Sequence, residues 1–224
     1  GPLSVEMFKG GQSNPTYKIE AKSGNYVLRR KPMGELLPSA HAVDREYRVM
    51  KALQDSDVPV PRMLDYCDDS SLLGTPFYVM EFLQGRVIMD QSLPGMSTSE
   101  RGEIYAEMCR VLAALHRVDY TRVGLETFGK PNNYFQRQID RWSKQCRAST
   151  LPLGESLVRL MEGLPQHIPA AEETSIVHGD YRLDNLVFHP TQPRVIGVLD
   201  WELSTLGHPL ADLSYQCMSW HVQP

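Results

Sequence analysis

Three side chains with hard oxygen donors, Asp180, Asn185 and Asp200, fall within residues 176–202, which read IVHGDYRLDNLVFHPTQPRVIGVLDWE. Each lies at the end of a short apolar run: Ser175-Ile176-Val177, Leu186-Val187-Phe188, or Val195 through Leu199. Moving a phosphoryl group asks a protein for little else, because the phosphates and their magnesium ions carry most of the charge. What remains is a base beside the acceptor hydroxyl and oxygen ligands for the metal. Asp180 is placed to be the base. Asn185, five residues on, offers a neutral amide oxygen, and Asp200 offers a carboxylate from the next strand end. A lone HxD or LD dipeptide arises by chance, and Asp, Asn and Gly populate any hairpin turn. The inference rests on all three together, with metal-ligand chemistry only at strand ends.

Stepping outward, this segment reads as strand, loop, hairpin and strand. At the other end of the chain, residues 5–8 and 16–19 read as strands around Lys9-Gly10-Gly11-Gln12-Ser13-Asn14. Paired glycines let backbone amides approach a phosphate, and they serve a plain hairpin turn equally well. The next strand, residues 26–31, ends in Arg29-Arg30-Lys31 before Pro32 stops regular pairing. Arg29 and Lys31 share one face, so either can hold a phosphate; a solvated basic strand end is the plain alternative. Residues 41–54 carry a helical stripe of Val43, Tyr47, Met50 and Leu53. On a wheel of 100° per residue Glu46 falls between Met50 and Leu53, which points its carboxylate inward toward a cation, Arg29 or Lys31. Beyond Pro59-Val60-Pro61 the pattern predicts a strand over 62–67, a hairpin over 68–73, and a buried strand over 76–83 that turns at Gln84-Gly85. Ser97 and Glu100 form a capping box opening a helix to about Arg117, its core face Ile104, Met108, Val111, Leu112 and Leu115. Further helices are expected over 134–147 and 154–164.

Composition sets bounds. The 224 residues carry 42% hydrophobic side chains, ordinary for a globular chain. The net charge of −4, from 23 basic and 27 acidic residues without a basic run, leaves no expectation of a nucleic-acid partner. Cys67, Cys109, Cys146 and Cys217 are widely spaced, which fits neither a zinc site nor a disulfide framework and makes a reducing cytoplasm the expected setting. No apolar run is long enough to cross a bilayer, so no membrane partner is expected. Gly1-Pro2-Leu3 reads as a protease-cleavage scar. Composition carries no signal of oligomeric state.

HGDYRLDN followed by LDWE resembles the catalytic and metal-binding loops of the aminoglycoside phosphotransferase and choline kinase-like family, relatives of the protein kinases. The phrases HGDYRLDNLVF, LDWELSTLGHPLADL and LLPSAHAV are most similar to kinase-like domains found alone in bacteria or fused to acyl-CoA dehydrogenases. The resemblance implies an α+β, two-lobe protein-kinase-like fold. An N-terminal antiparallel sheet lobe with one helix would span residues 1–82, and a mostly helical lobe residues 83–224. It implies ATP and Mg2+ as cofactors, Asp180 as the catalytic residue, and Asn185 and Asp200 as metal ligands. Gly11, Ser13 and Asn14 would lie in a nucleotide-covering loop. Arg29 matches the phosphate-holding position, where protein kinases carry lysine, with Glu46 as its partner. Backbone near Glu81 and Leu83 would read the adenine edge. His178 and Asp212 would brace the catalytic loop, and Glu202 would shape the turn after Asp200 or reach a metal. Relatives continue past the position of Pro224 with helices that form much of the acceptor pocket.

The activity this implies is ATP-dependent transfer of the γ-phosphoryl group to a hydroxyl of a small molecule. A polycationic aminoglycoside calls for an acidic cluster, which the sequence does not display; the resemblance to domains fused with acyl-CoA dehydrogenases implies instead a hydroxyacyl-CoA or related metabolite as acceptor. A nucleotide-binding pseudokinase or regulatory module is the alternative, motivated by arginine at the lysine position and the short far end. A protein kinase is disfavoured, since no APE-like segment follows Asp200.

Overall fold

The computed structural model describes residues 3–8, 14–34, 41–218 and 220–221. Its N-terminal lobe is an antiparallel sheet of β1 (Ser4–Met7), β2 (Thr16–Ala21), β3 (Gly24–Arg30), β4 (Met63–Cys67) and β5 (Phe77–Glu81), in the order β1-β2-β3-β5-β4. Ala21 pairs with Gly24 across a two-residue turn, and Gly24 takes φ +141° there, a backbone state that glycine adopts readily. Helix α1 (Val43–Leu53) crosses the lobe with Val43, Glu46, Val49, Met50 and Leu53 buried. The inward stripe thus includes Val49 at full burial, while Tyr47 is only partly covered.

The hairpin expected over 68–73 is a one-turn helix, α2 (Ser70–Leu73), inserted between the antiparallel strands β4 and β5. Asp69 caps it by accepting the N–H of Ser71 at 2.8 Å, and Gly74 closes it with φ +81°. Asp and Ser compete for local backbone groups, so the same residues serve a turn or a short helix.

After β5 the chain forms β6 (Arg86–Val87) and enters the second lobe through α3 (Thr98–His116), α4 (Tyr134–Arg147) and α5 (Glu155–Gly163). The capping box at α3 is present in both directions: Ser97 N–H to Glu100 Oε2 at 2.7 Å, and Glu100 N–H to Ser97 Oγ at 3.3 Å. The α3 core face is the expected one, Ile104 through Leu115. Short strands follow: β7 (Ser175–Val177), β8 (Leu186–Phe188), β9 (Val195–Val198) and β10 (Thr205–Gly207), before α6 (Leu210–Met218). β8 and β9 form the hairpin and β6 extends it, while β7 pairs with β10 instead. β7 and β8 are buried throughout and β9 and β10 over most of their length, which fixes the loops between them. Among the described residues no helix is long and apolar enough to cross a membrane.

Candidate active site

β7 is buried along its length and delivers the chain into the loop at His178. The His178 ring is itself buried; its Nε2 donates to Leu199 O at 2.9 Å and its Nδ1 accepts the Asp180 N–H at 3.2 Å. Both nitrogens are thereby used by a neutral ring. Burial pushes the imidazole below its usual pKa, and the nearby Asp212 carboxylate only partly offsets this. Asp212, on α6, accepts the backbone N–H groups of His178 and Gly179, each at 2.8 Å, and lies 3.1 Å from His116 Nε2. Gly179 has φ +85°, and a Cβ there would stand 2.8 Å from Leu203 O, so the loop needs a residue without a side chain. The bracing expected of His178 and Asp212 is the geometry found.

At the tip, Asp180 is held at both carboxylate oxygens. Tyr215 donates its hydroxyl to Oδ1 at 2.8 Å, and Asn185 Nδ2 donates to Oδ2 at 2.9 Å and to the Asp180 carbonyl at 2.8 Å. A planar amide anchored through its nitrogen turns its oxygen away from Asp180. The Asn185 backbone carbonyl accepts the Leu199 N–H at 2.8 Å, tying this loop to the end of β9. One residue later Asp200 takes the left-handed conformation (φ 63°, ψ 62°), unusual outside glycine. Buried Trp201 anchors the turn through its Nε1–H to Val198 O at 3.0 Å and packs 4.7 Å from the His178 ring.

The donor set suits a hard divalent cation: one carboxylate (Asp200) and one amide oxygen (Asn185), both on loops held in place from behind. Among the described residues no group of three or more His, Cys, Asp or Glu is arranged to hold a metal. A cation held there would need water or phosphate oxygens to complete its coordination.

Above this lies a polar network built on Glu46, which has no exposed surface. Arg29 Nε stands 3.0 Å from Glu46 Oε2, Asn14 Nδ2 donates to Oε1 at 2.8 Å, and Tyr78 donates its hydroxyl to Oε2 at 3.1 Å. Burial pushes the Glu46 carboxyl up to about 7, Arg29 pulling against it. Burial would lower the Arg29 guanidinium, but Glu46 and the further negative groups outweigh it and hold the cation firmly protonated. Arg29 Nη2 also reaches Asp200 Oδ1 at 2.7 Å, with Glu202 Oε2 at 3.9 Å. One guanidinium therefore spans the helix glutamate of the first lobe and the Asp200 turn of the second. Of the two cations left open by the strand pattern, Arg29 is the one on Glu46.

Gly11 and Ser13 lie outside the described residues; Asn14 is buried with its amide nitrogen committed to Glu46. At the end of β5, the Glu81 N–H is bonded to Arg62 O at 3.0 Å and its carboxylate accepts the Arg62 N–H at 2.8 Å. The Leu83 side chain packs onto Gly197 of β9, where a Cβ would come 2.1 Å from its Cδ1. Sequence reasoning missed Tyr78 and Tyr215. Each phenol contacts a carboxylate more than thirty positions away, and neither is marked by a local motif.

The family model described as the phosphotransferase enzyme family matches residues 4–224. Mouse acyl-CoA dehydrogenase family member 10 is 50% identical over 222 residues, covering 99% of this chain and 21% of that protein. The chain thus spans about a fifth of that relative's length. A crystal structure from Ralstonia eutropha JMP134, provisionally named an aminoglycoside phosphotransferase, is 59% identical with a TM-score of 0.90, covering 100% of this chain and 66% of that one. An aminoglycoside phosphotransferase mutant in ternary complex with ADP and hygromycin B shares the fold, with a TM-score of 0.69 at 16% identity over 95% of this chain and 70% of that one.

Proposed function

The chain belongs to the phosphotransferase enzyme family, and from that premise we propose that it transfers the γ-phosphoryl group of ATP to a hydroxyl of a small molecule. The observation that carries this reading is the convergence of Asp180, Asn185, Asp200 and the Arg29–Glu46 pair from four separate elements into one hydrogen-bonded assembly. In this reading Asp180 orients the acceptor hydroxyl and takes its proton as attack proceeds. Its carboxylate is already fixed at both oxygens, so little reorganisation is left for the reaction. Asn185 and Asp200 would hold a magnesium ion, which supplies charge neutralisation at the phosphates when bound. Arg29, kept charged and steadied by Glu46, would hold the phosphates once its contact with Asp200 is exchanged for them.

A hydroxyacyl-CoA or related metabolite is the acceptor class we favour over an antibiotic. The likeness to proteins named as acyl-CoA dehydrogenase family members supports it. A nucleotide-binding module without transfer is the second reading, favoured by the direct closure of Arg29 on Asp200. Turnover of ATP with magnesium across hydroxyacyl-CoA thioesters, other hydroxylated metabolites and aminoglycosides, with Asp180→Ala as the blank, decides between them. A phosphorylated acceptor that disappears in the variant establishes transfer and names the class. Nucleotide binding without product in any mixture rejects transfer in favour of the binding module.

A further inference from the structure

Helix α6 sends two side chains to the same loop. Asp212 takes the backbone N–H groups of His178 and Gly179, while Tyr215, three residues on and so on the same helical face, reaches the Asp180 side chain. Arg182, two residues after Asp180, pairs its guanidinium with Asp184. Since Asn185 holds the other oxygen of Asp180, removing the phenol would leave that carboxylate free to rotate about a single remaining contact.

We propose that Tyr215 is a positioning residue for phosphoryl transfer, its hydroxyl holding the Asp180 carboxylate in the orientation that receives the acceptor's proton. The proposal rests on Asp180 being the base. In that step the acceptor oxygen bonds to the γ-phosphorus, the bond from phosphorus to the β–γ bridging oxygen breaks with departure of ADP, and the acceptor's proton passes to Asp180. Burial and the hydrogen bond to Asp180 raise the Tyr215 pKa and keep the phenol a donor at neutral pH. The opposite role is a plug, in which the phenol occupies the acceptor hydroxyl's place on Asp180 and must leave before reaction.

Two measurements test it. With MgATP and the acceptor found in the turnover survey, Tyr215→Phe should lower kcat about 10- to 100-fold and leave the ATP KM within about two-fold. A kcat that is unchanged or increased overturns the proposal, an increase identifying the plug. Independently of turnover, chain labelled with 13Cζ-tyrosine is followed by NMR, the Tyr215 resonance being assigned by its loss in Tyr215→Phe. Asp180→Asn should shift that resonance and move its ionisation to lower pH; an unmoved resonance overturns the positioning role alone. A shifted resonance in a wild-type chain that phosphorylates no acceptor overturns the transfer reading, and the positioning role with it.

Discussion

Glu46 is a carboxyl group without solvent around which Arg29, Asn14 and Tyr78 all donate. Its pKa, raised by burial from 4.5 to about 7, makes it a determinant of pH-dependent stability. The unfolded chain sheds this proton at lower pH than the folded one, so the stability Glu46 contributes falls as pH rises from about 4.5 to about 7. His178 acts in the other direction: its pKa is pushed below 6.5, so on acidification the unfolded chain takes up a proton that the folded one refuses, and stability is lost. Between about 4.5 and 6.5 the two slopes oppose. Glu46→Gln removes only one of them, and its urea-unfolding free energy should drop more steeply from pH 6.5 to 4.5 than the wild type's. The Arg29–Glu46 pairing was legible because a charged residue inside an apolar helical stripe must find a cation, and the adjacent strand offers few. Asn14 and Tyr78, each 32 positions from Glu46, were not legible, because only the folded sheet brings them near.

Among the elements, α6 exerts the most leverage for its nine residues. Asp212→Ala would strip one buried and one half-buried backbone N–H group of their acceptor, at about 1–3 kcal/mol for each. We expect a loss of roughly 2–5 kcal/mol in urea denaturation, and about half that for Asp212→Asn, which keeps one acceptor oxygen. The order of elements could be read from local signals with physical content: the Ser97–Glu100 box at α3, the apolar runs of β7, β8 and β9, and Pro32 after β3. Pairing could not be read so far. That β7 joins β10 while β6 joins β8 depends on where buried three-residue strands find partners, and such runs carry no register of their own. The α2 turn escaped for a related reason, since Asp69 and the serines after it satisfy a short helix and a turn alike.

Across the whole molecule, α1 belongs to the first lobe by sequence but is fastened to the second. Arg45 donates to Phe128 O at 2.7 Å and Ser204 O at 3.2 Å while lying 4.2 Å over the Phe128 ring; Arg48 donates to Gly124 O at 2.9 Å and Thr127 Oγ1 at 2.8 Å. Arg45→Met should cost about 1–3 kcal/mol. It should also speed amide hydrogen exchange in α1, around Phe128 and in residues 201–204 together, because these segments share that one guanidinium. The Arg29–Asp200 contact joins residues 171 positions apart, whereas Arg29 and Glu46 are only 17 apart. On a ribosome adding about 5–20 residues per second, Asp200 is polymerised roughly 9–34 seconds after Arg29. The nascent sheet lobe can therefore pair its cation with Glu46 long before the opposite carboxylate exists, and the site is completed only once the Asp200 turn has been made.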